Sequence, residues 1–367
     1  MNLEQLDLRN FRNYQSLQSS FSPGVNLIVG DNAQGKTNLL EAVYYLSTGR
    51  SFRTRREIEL IRFGAEYADL SGAVSGEERK QTIRTVLFAG RKTRQQFLNG
   101  VKKKTAAEMR GVLTTVLFCP EDLLVLKAGA AARRRFLDHA LCQLRPRYEA
   151  ALAEYSRVVE QKSKILRDRF ENPSLLQVLP EYSSRLCQVG AVIISYRARF
   201  LKSLGEEATR YHREFSGGKE ILEIPYRTVS TVKDPFASLQ ELEKDLLQHA
   251  ESHHAAELES AQCLTGPHKD DFDASLDGMS LKSYGSQGQT RTAAISLKLA
   301  QRELTRRDTG EEPVLLLDDV LSELDPGRQD FVLNQIQTGQ VFITCCEKDR
   351  ITKMGKILQI QAGAVIR

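Results

Sequence analysis

A chain of 367 residues with 41% hydrophobic content can bury two domain cores, or one core interrupted by a large insertion. Lys and Arg number 52 against 47 Asp and Glu, and the resulting charge of +5 permits contact with nucleic acid without requiring it. The six cysteines show no CxxC spacing, which argues against a zinc site or a disulfide framework. There is neither an apolar run of about 18 residues nor a basic-then-apolar leader, so a cytoplasmic location without a membrane segment is expected.

In chain order, Leu3, Leu6, Leu8 and Phe11 predict a strand, followed by a turn at Arg12-Asn13-Tyr14. Ser22-Pro23-Gly24 then turns the chain into the apolar strand 25–29. Gly30-Asp31-Asn32-Ala33-Gln34-Gly35-Lys36-Thr37 comes next: two glycines separated by four residues, then Lys and Thr, the pattern of a phosphate-binding loop. Leu39, Leu40, Val43 and Leu46 continue at helical spacing. Strand, glycine loop and helix form the context in which backbone N–H groups and a helix start face phosphates. Lys36 is expected to reach the β and γ phosphates, and Thr37 to hold Mg2+ through its hydroxyl.

Past this helix lies a basic segment with Arg50, Arg53, Arg55 and Arg56, which suits phosphates, DNA or plain solvent. Alternating runs at 68–74, 82–88 and 95–98, with a hairpin turn at Asn99-Gly100, predict an antiparallel flank. Arg91, Lys92, Arg94, Lys102, Lys103 and Lys104 gather around that hairpin and are candidate DNA contacts, although charged hairpin tips also serve solubility. Residues 112–118 predict a buried strand that ends at Cys119-Pro120-Glu121-Asp122.

From 130 to about 261 helix formers dominate, broken at Asn172-Pro173 and Ser216-Gly217-Gly218. Leu186, Val189, Ile193, Tyr196 and Phe200 share one helical stripe, and 221–227 is the one strand expected here. His249, His253, His254 and Glu257 read as a solvated helix face rather than a metal site. Strand pattern returns at 271–276, and the turn Ser286-Gln287-Gly288-Gln289 opens an amphipathic helix, a second place where an anion could meet a helix start. The strand 314–317 then ends in Asp318 and Asp319. Four aliphatics place Asp318 at the carboxyl edge of a parallel sheet, beside the phosphate loop and able to hold Mg2+, while Asp319 is placed to orient the attacking water. Ser322-Glu323-Leu324-Asp325 precedes a helix begun by Pro326, and 341–344 predicts a further buried strand.

A phosphate loop near 30, a Ser-Gln-Gly turn near 286 and Asp-Asp followed by Ser-x-Leu-Asp resemble an ATP-binding-cassette ATPase split by an insertion, as in the chromosome-maintenance ATPases without their long arms. Within that class, LRNFRNY (8–14), GDNAQGKTNLLEA (30–42), FCPEDL (118–123), RRRFLD (133–138), GPHKDD (266–271) and LLLDDVLSELD (315–325) closely resemble the RecF family of bacterial recombination mediators.

The resemblance implies an α/β fold: a P-loop ATPase lobe with a mixed sheet, contributed by 1–129 and 263–367, and a helical lobe inserted as 130–262. It implies a nucleotide site comprising Arg12, Gly30, Asn32, Gly35, Lys36, Thr37, Asn38 and Asp325, with Ser286, Gly288 and Gln289 closing on the ATP bound by a second copy. Lys36, Asp318 and Asp319 are the expected catalytic groups, and Thr37 and Asp318 the Mg2+ ligands. It further implies an ATP-dependent homodimer on gapped or junction DNA, partnership with RecR and RecO in loading RecA, and a part in replication, recombinational repair and the SOS response. Three departures stand out: the signature lacks the transporter-type Ser-Gly-Gly-Gln, no histidine follows His268, and Pro120-Glu121-Asp122 replaces the usual Gln loop. Cys345 or Thr344 takes the place of the switch histidine. With Asp319 where Glu is usual, slow turnover is expected. The competing reading is the ATPase subunit of a membrane transporter or another cassette-type ATPase.

Overall fold

The computed structural model describes residues 1–77, 79–90, 94–345 and 355–366. Two compact units form, Met1–Leu123 with Gln301–Arg367, and Leu124–Ala300.

The first unit holds two six-stranded sheets. One is antiparallel and runs in the order Tyr14–Ser20, Asn2–Phe11, Tyr67–Ser75, Lys80–Phe88, Gln95–Leu98, Val101–Lys103. Its first strand shifts register between Leu3 and Gln5, and this irregularity lets Leu3 share the buried face with Leu6 and Leu8 despite the odd spacing. Asn99 and Gly100 both take positive φ, 51° and 77°, as the expected two-residue hairpin requires.

The second sheet runs Ala364–Val365, Lys356–Gln361, Val25–Val29, Val341–Cys345, Val314–Leu317, Thr115–Phe118, parallel except at its first strand. The strand Lys356–Gln361 was not apparent from the sequence. The register pairs Val29 with Cys345 and Leu317 with both Ile343 and Phe118, so Gly30, Asp318 and Cys119 leave the sheet along one carboxyl edge. The helix Lys36–Thr48 shares a single core with Leu6, Phe11 and Leu70 of the antiparallel sheet and Ile28, Leu316 and Phe342 of the parallel one. Ten of its 13 residues are buried, as a helix covered on every side demands.

The second unit is mainly helical, with Ala130–Leu144, Pro146–Asp168, Leu179–Ser216 and Leu239–Ser252 as its long members. The apolar stripe containing Leu186, Val189 and Ile193 packs in a core with Tyr148, Tyr155 and Leu246. The strand expected at 221–227 is two short ones, Leu222–Glu223 and Tyr226–Arg227, separated by Pro225, which has no N–H for a ladder. They pair with Ser275–Leu276 and Asp271–Phe272. The insertion, expected to end at 262, therefore carries its own sheet partners beyond that point, and this compact unit extends to Ala300.

The histidine segment also differs from expectation. His249 is buried, stacked on His253 with ring centroids 3.9 Å apart and bonded through Nδ1 to Thr265 Oγ1 at 2.8 Å. Glu257 is buried as well and meets the fully buried Lys162 at 2.6 Å, so His249 and Glu257 are packed rather than solvated, while His254 is exposed as expected. No metal-binding group of His, Cys, Asp and Glu occurs among the described residues.

Candidate functional site

The phosphate loop is shaped by two glycines that nothing larger could replace. Gly35 sits at φ 117°, where a Cβ would lie 2.6 Å from Asn13 Nδ2, and a Cβ on Gly30 would lie 2.3 Å from the Ile360 carbonyl oxygen. Asn13 braces the loop by donating to the Gln34 carbonyl at 2.9 Å and accepting from Asn38 Nδ2 at 2.8 Å. The Tyr14 hydroxyl donates to the Gly35 carbonyl at 2.9 Å, and burial pushes that phenol well above its usual range. Lys36, only 4% exposed, folds over the loop and donates to the carbonyls of Gly30 and Asp31 at 2.7 and 3.1 Å.

Thr37, on the first turn of the helix, donates through Oγ1 to Asp318 Oδ1 at 3.0 Å across a sequence separation of 281 residues. Burial pushes the Asp318 carboxyl above its usual range, opposed by the hydroxyls of Thr37 and Thr344, while the neighbouring Asp319 charge acts in the same direction as burial. Asp319 takes φ 51°, uncommon for a residue with a side chain, and its N–H donates to Thr344 Oγ1 at 2.7 Å. The same Thr344 oxygen lies 3.0 Å from Asp318 Oδ1 and 3.2 Å from Asp319 Oδ1, so its single proton serves one of two carboxylates. Thr344 thus makes these contacts at the position where a histidine is absent. At the former Gln-loop position, Asp122 accepts the Cys119 N–H at 3.0 Å, and Glu121 is exposed.

Arg12 also stands beside the loop helix, but its guanidinium is held by protein. Nε and Nη2 donate to the two oxygens of Glu41 at 2.8 and 2.7 Å, and Nη1 donates to the Glu59 carbonyl at 2.8 Å. Glu41 is fully buried on the loop helix and also accepts from Ser51 Oγ at 2.5 Å, with Arg53 at 3.6 Å. Arg53 in turn donates to Asn38 Oδ1 at 2.7 Å. Asn13 and Glu41 are the site residues that the sequence reading missed, while Thr344 was one of its two candidates for the place of the switch histidine. Glu41 left one signal, a lone acid inside an otherwise apolar helical stretch.

The structure therefore brings Gly30, Gly35, Lys36, Thr37, Asn38, Asp318 and Asp319 to one sheet edge. Asn32 lies exposed in the same loop. Asp325 instead caps the helix Pro326–Gln335, accepting the Arg328 N–H at 3.2 Å and pairing with the Arg328 guanidinium, which holds its carboxyl below the usual range. In the second unit Ser286 is exposed at the start of the helix Gln287–Thr309, with Gly288 and Gln289 partly exposed behind it.

Of the hairpin cations, Arg91 and Lys92 lie outside the described residues. Arg94 points inward: it donates to Tyr45 Oη at 3.1 Å, to Glu57 Oε1 at 2.7 Å and to the Gly49 carbonyl, which removes it from the free cations. Lys102 and Lys104 are exposed, and Lys103 lies 3.8 Å from Glu108. A hollow beside the hairpin is lined by Arg55, Arg56, Lys103 and Lys104 over an apolar floor that includes Ile58 and Leu87.

The glycine cradle, the buried lysine and the oxygen pair of Thr37 and Asp318 suit a nucleotide polyphosphate with a hard divalent cation. The fold and this edge define a cassette-type ATPase head of the chromosome-maintenance class. A head domain of Smc from Pyrococcus furiosus aligns over 99% of this chain and 94% of its own, at 17% identity and a TM-score of 0.55, in keeping with that fold. The model for the RecF/RecN/SMC N terminal domain matches residues 2–365. The DNA replication and repair protein RecF of Acetivibrio thermocellus is 38% identical over 350 residues, covering 95% of this chain and 94% of the relative. A solved recombination mediator protein, RecF-ATPrS of the RecFOR pathway, shares 34% identity over 99% of this chain and 97% of its own, with a TM-score of 0.93. The chain belongs to the RecF family. Among the described residues, no helix is long and apolar enough to cross a membrane.

Proposed function

We propose that this chain is an ATP-switched DNA-repair protein: ATP bound at the phosphate loop drives dimerisation, the dimer holds gapped or junction DNA, and RecR and RecO join it to load RecA. The reading includes a cytoplasmic protein acting in replication, recombinational repair and the SOS response. The observation that carries it is the meeting of Thr37 with Asp318, which joins the loop helix to the strand Val314–Leu317 through two oxygen-bearing side chains. Thr37 and Asp318 would hold Mg2+, which neutralises polyphosphate charge when bound. Lys36 supplies a fixed positive charge to the same phosphates, and Asp319, held by Thr344, orients the attacking water by accepting a hydrogen bond from it. Ser286 and Gly288 of a second copy complete the site, because a Ser-capped helix start with an exposed hydroxyl is suited to an anion.

DNA is placed at the basic hollow. The cationic groups of Arg55, Arg56, Lys102 and Lys104 have no side-chain partner among the described residues, whereas Arg94 is engaged by Glu57. Arg55, Arg56 and Lys104, three cations without acidic partners lining this hollow, favour a phosphate backbone.

Mixing variants tests the whole reading. Lys36→Ala should lose ATP binding in a calorimetric titration, and Ser286→Arg should bind ATP without dimerising. Together they should recover ATPase at one composite site of two. An equimolar mixture no more active than either variant alone would sink the composite-site dimer.

A further inference from the structure

Gln289 is fixed by partners from separate chain segments. Its Oε1 accepts the Ser286 N–H at 3.0 Å while its own N–H donates to Ser286 Oγ at 3.1 Å, a reciprocal cap at the helix start. Its Nε2 donates to Glu220 Oε1 at 2.8 Å. An N–H on one side and a carboxylate on the other allow only one orientation of the carboxamide. Glu220 places its second oxygen 2.9 Å from Nε2 of His212, which is fully buried on the last turns of the helix Leu179–Ser216. On the other flank of the turn, Lys127 Nζ donates to the Gly285 carbonyl at 2.8 Å. The backbone there has no slack, since a Cβ on Gly285 would lie 2.6 Å from the Leu281 carbonyl oxygen.

The cap itself is complete with Ser286 and Gln289; the contact to Glu220 is additional. Because Ser286 Oγ accepts from the Gln289 backbone N–H, its own proton stays available to donate outward, while the Gln289 carboxamide holds the Ser286 backbone N–H and so the placement of that residue at the helix start. We propose that Glu220, backed by His212, is a positioning residue for this turn: it sets Gln289, and through it the Ser286 hydroxyl, in the orientation that meets nucleotide bound by a second copy. The inference rests on the composite-site reading above.

The test compares the full-length parent, Glu220→Ala and Glu220→Gln by sedimentation with and without ATP and Mg2+, beside nucleotide titration and thermal unfolding. Glu220→Ala should bind ATP as a monomer and melt slightly below the parent, since the buried His212 loses this partner, yet dimerise about tenfold more weakly or worse, the worth of a charge-assisted hydrogen bond. Glu220→Gln keeps an acceptor for Gln289 Nε2 and should recover most of the dimer. In mixtures, Glu220→Ala should regain ATPase with Lys36→Ala but not with Ser286→Arg, because it damages the same side of the composite site as the latter. Parent-like dimerisation by Glu220→Ala, equal rescue by both partners, or a melting loss shared by the Gln variant would each overturn the proposal. A parent that stays monomeric with ATP would instead remove the composite-site reading, and the proposal with it.

Discussion

Arg12 and Glu41 meet through both guanidinium and carboxylate edges, at 2.8 and 2.7 Å, with the acid fully buried and the base mostly so. The acid belongs to the phosphate-loop helix and the base to the turn that precedes the second strand, so the pair ties the loop helix to the antiparallel sheet. Removing the acid alone strands a cation in a partly buried setting and frees Arg53 from the same anchor. Glu41→Ala is expected to lower stability by about 3 kcal/mol, as broken buried pairs do, and to weaken ATP binding through the loosened Arg12 and Asn38. Urea unfolding and ATP titration on the same sample check it: unchanged values in both would show that Arg12 needs no anchor.

Asp319 is expected to set the rate of ATP hydrolysis. Its carboxylate is one methylene shorter than the glutamate usual at this position, so it falls roughly 1 Å short of the best place for water, and a misplacement of that size can cost on the order of a hundredfold. Turnover well below ~10 per second is expected. Asp319→Asn should hydrolyse still more slowly while dimerising normally on ATP, and single-turnover hydrolysis measures this. If Asp319→Asn keeps the parent rate, Glu121 or Glu323 becomes the group to examine.

DNA affinity should fall steeply with salt, because cations that neutralise phosphates release counterions. Replacing Arg55, Arg56, Lys102 and Lys104 by Ala should flatten the slope of log affinity against log salt by about 0.9 for each lost contact on duplex. Arg94→Ala should instead reduce stability, since its partners are Glu57, Tyr45 and the Gly49 carbonyl. A salt slope unaltered by the fourfold change would move the DNA surface elsewhere, with Arg53 the next candidate.

His268 sets an acid limit on the helical unit. Burial holds its imidazole down to about 4 against an ordinary 6.5, with Nδ1 at 2.7 Å from Tyr155 Oη and Nε2 at 3.0 Å from the Cys263 carbonyl. In this window the unfolded chain binds a proton that the folded chain refuses, so stability should fall as pH falls from 6.5 towards 4. The slope should approach 1.4 kcal/mol per pH unit. Chemical denaturation across that range should show a shallower slope in His268→Gln; equal slopes would assign the acid sensitivity to other groups.

Short-range pattern was enough to specify much of this molecule. The phosphate loop is legible because its glycines, lysine and threonine are consecutive, and the aliphatic strand before Asp318 announces its own burial. The hairpin at Asn99-Gly100 follows from local backbone preference, since both residues tolerate positive φ. What depends on contacts between distant segments was not legible. The strand Lys356–Gln361 takes its place only by lying parallel to Val25–Val29, and the two short strands at 271–276 join the helical unit only through partners near 222 and 226. The fate of individual charges was decided in the same way. Arg94 and Lys104 look alike in sequence, yet one is turned inward by Glu57 and Tyr45 while the other remains in solvent. Residue order was enough to read which chemistry the chain carries, because the groups within each motif are neighbours along the backbone. That Glu41 anchors Arg12, that Thr344 stands between two aspartates and that Glu220 holds Gln289 follows from packing alone, because each depends on which segments come close enough for side chains to meet.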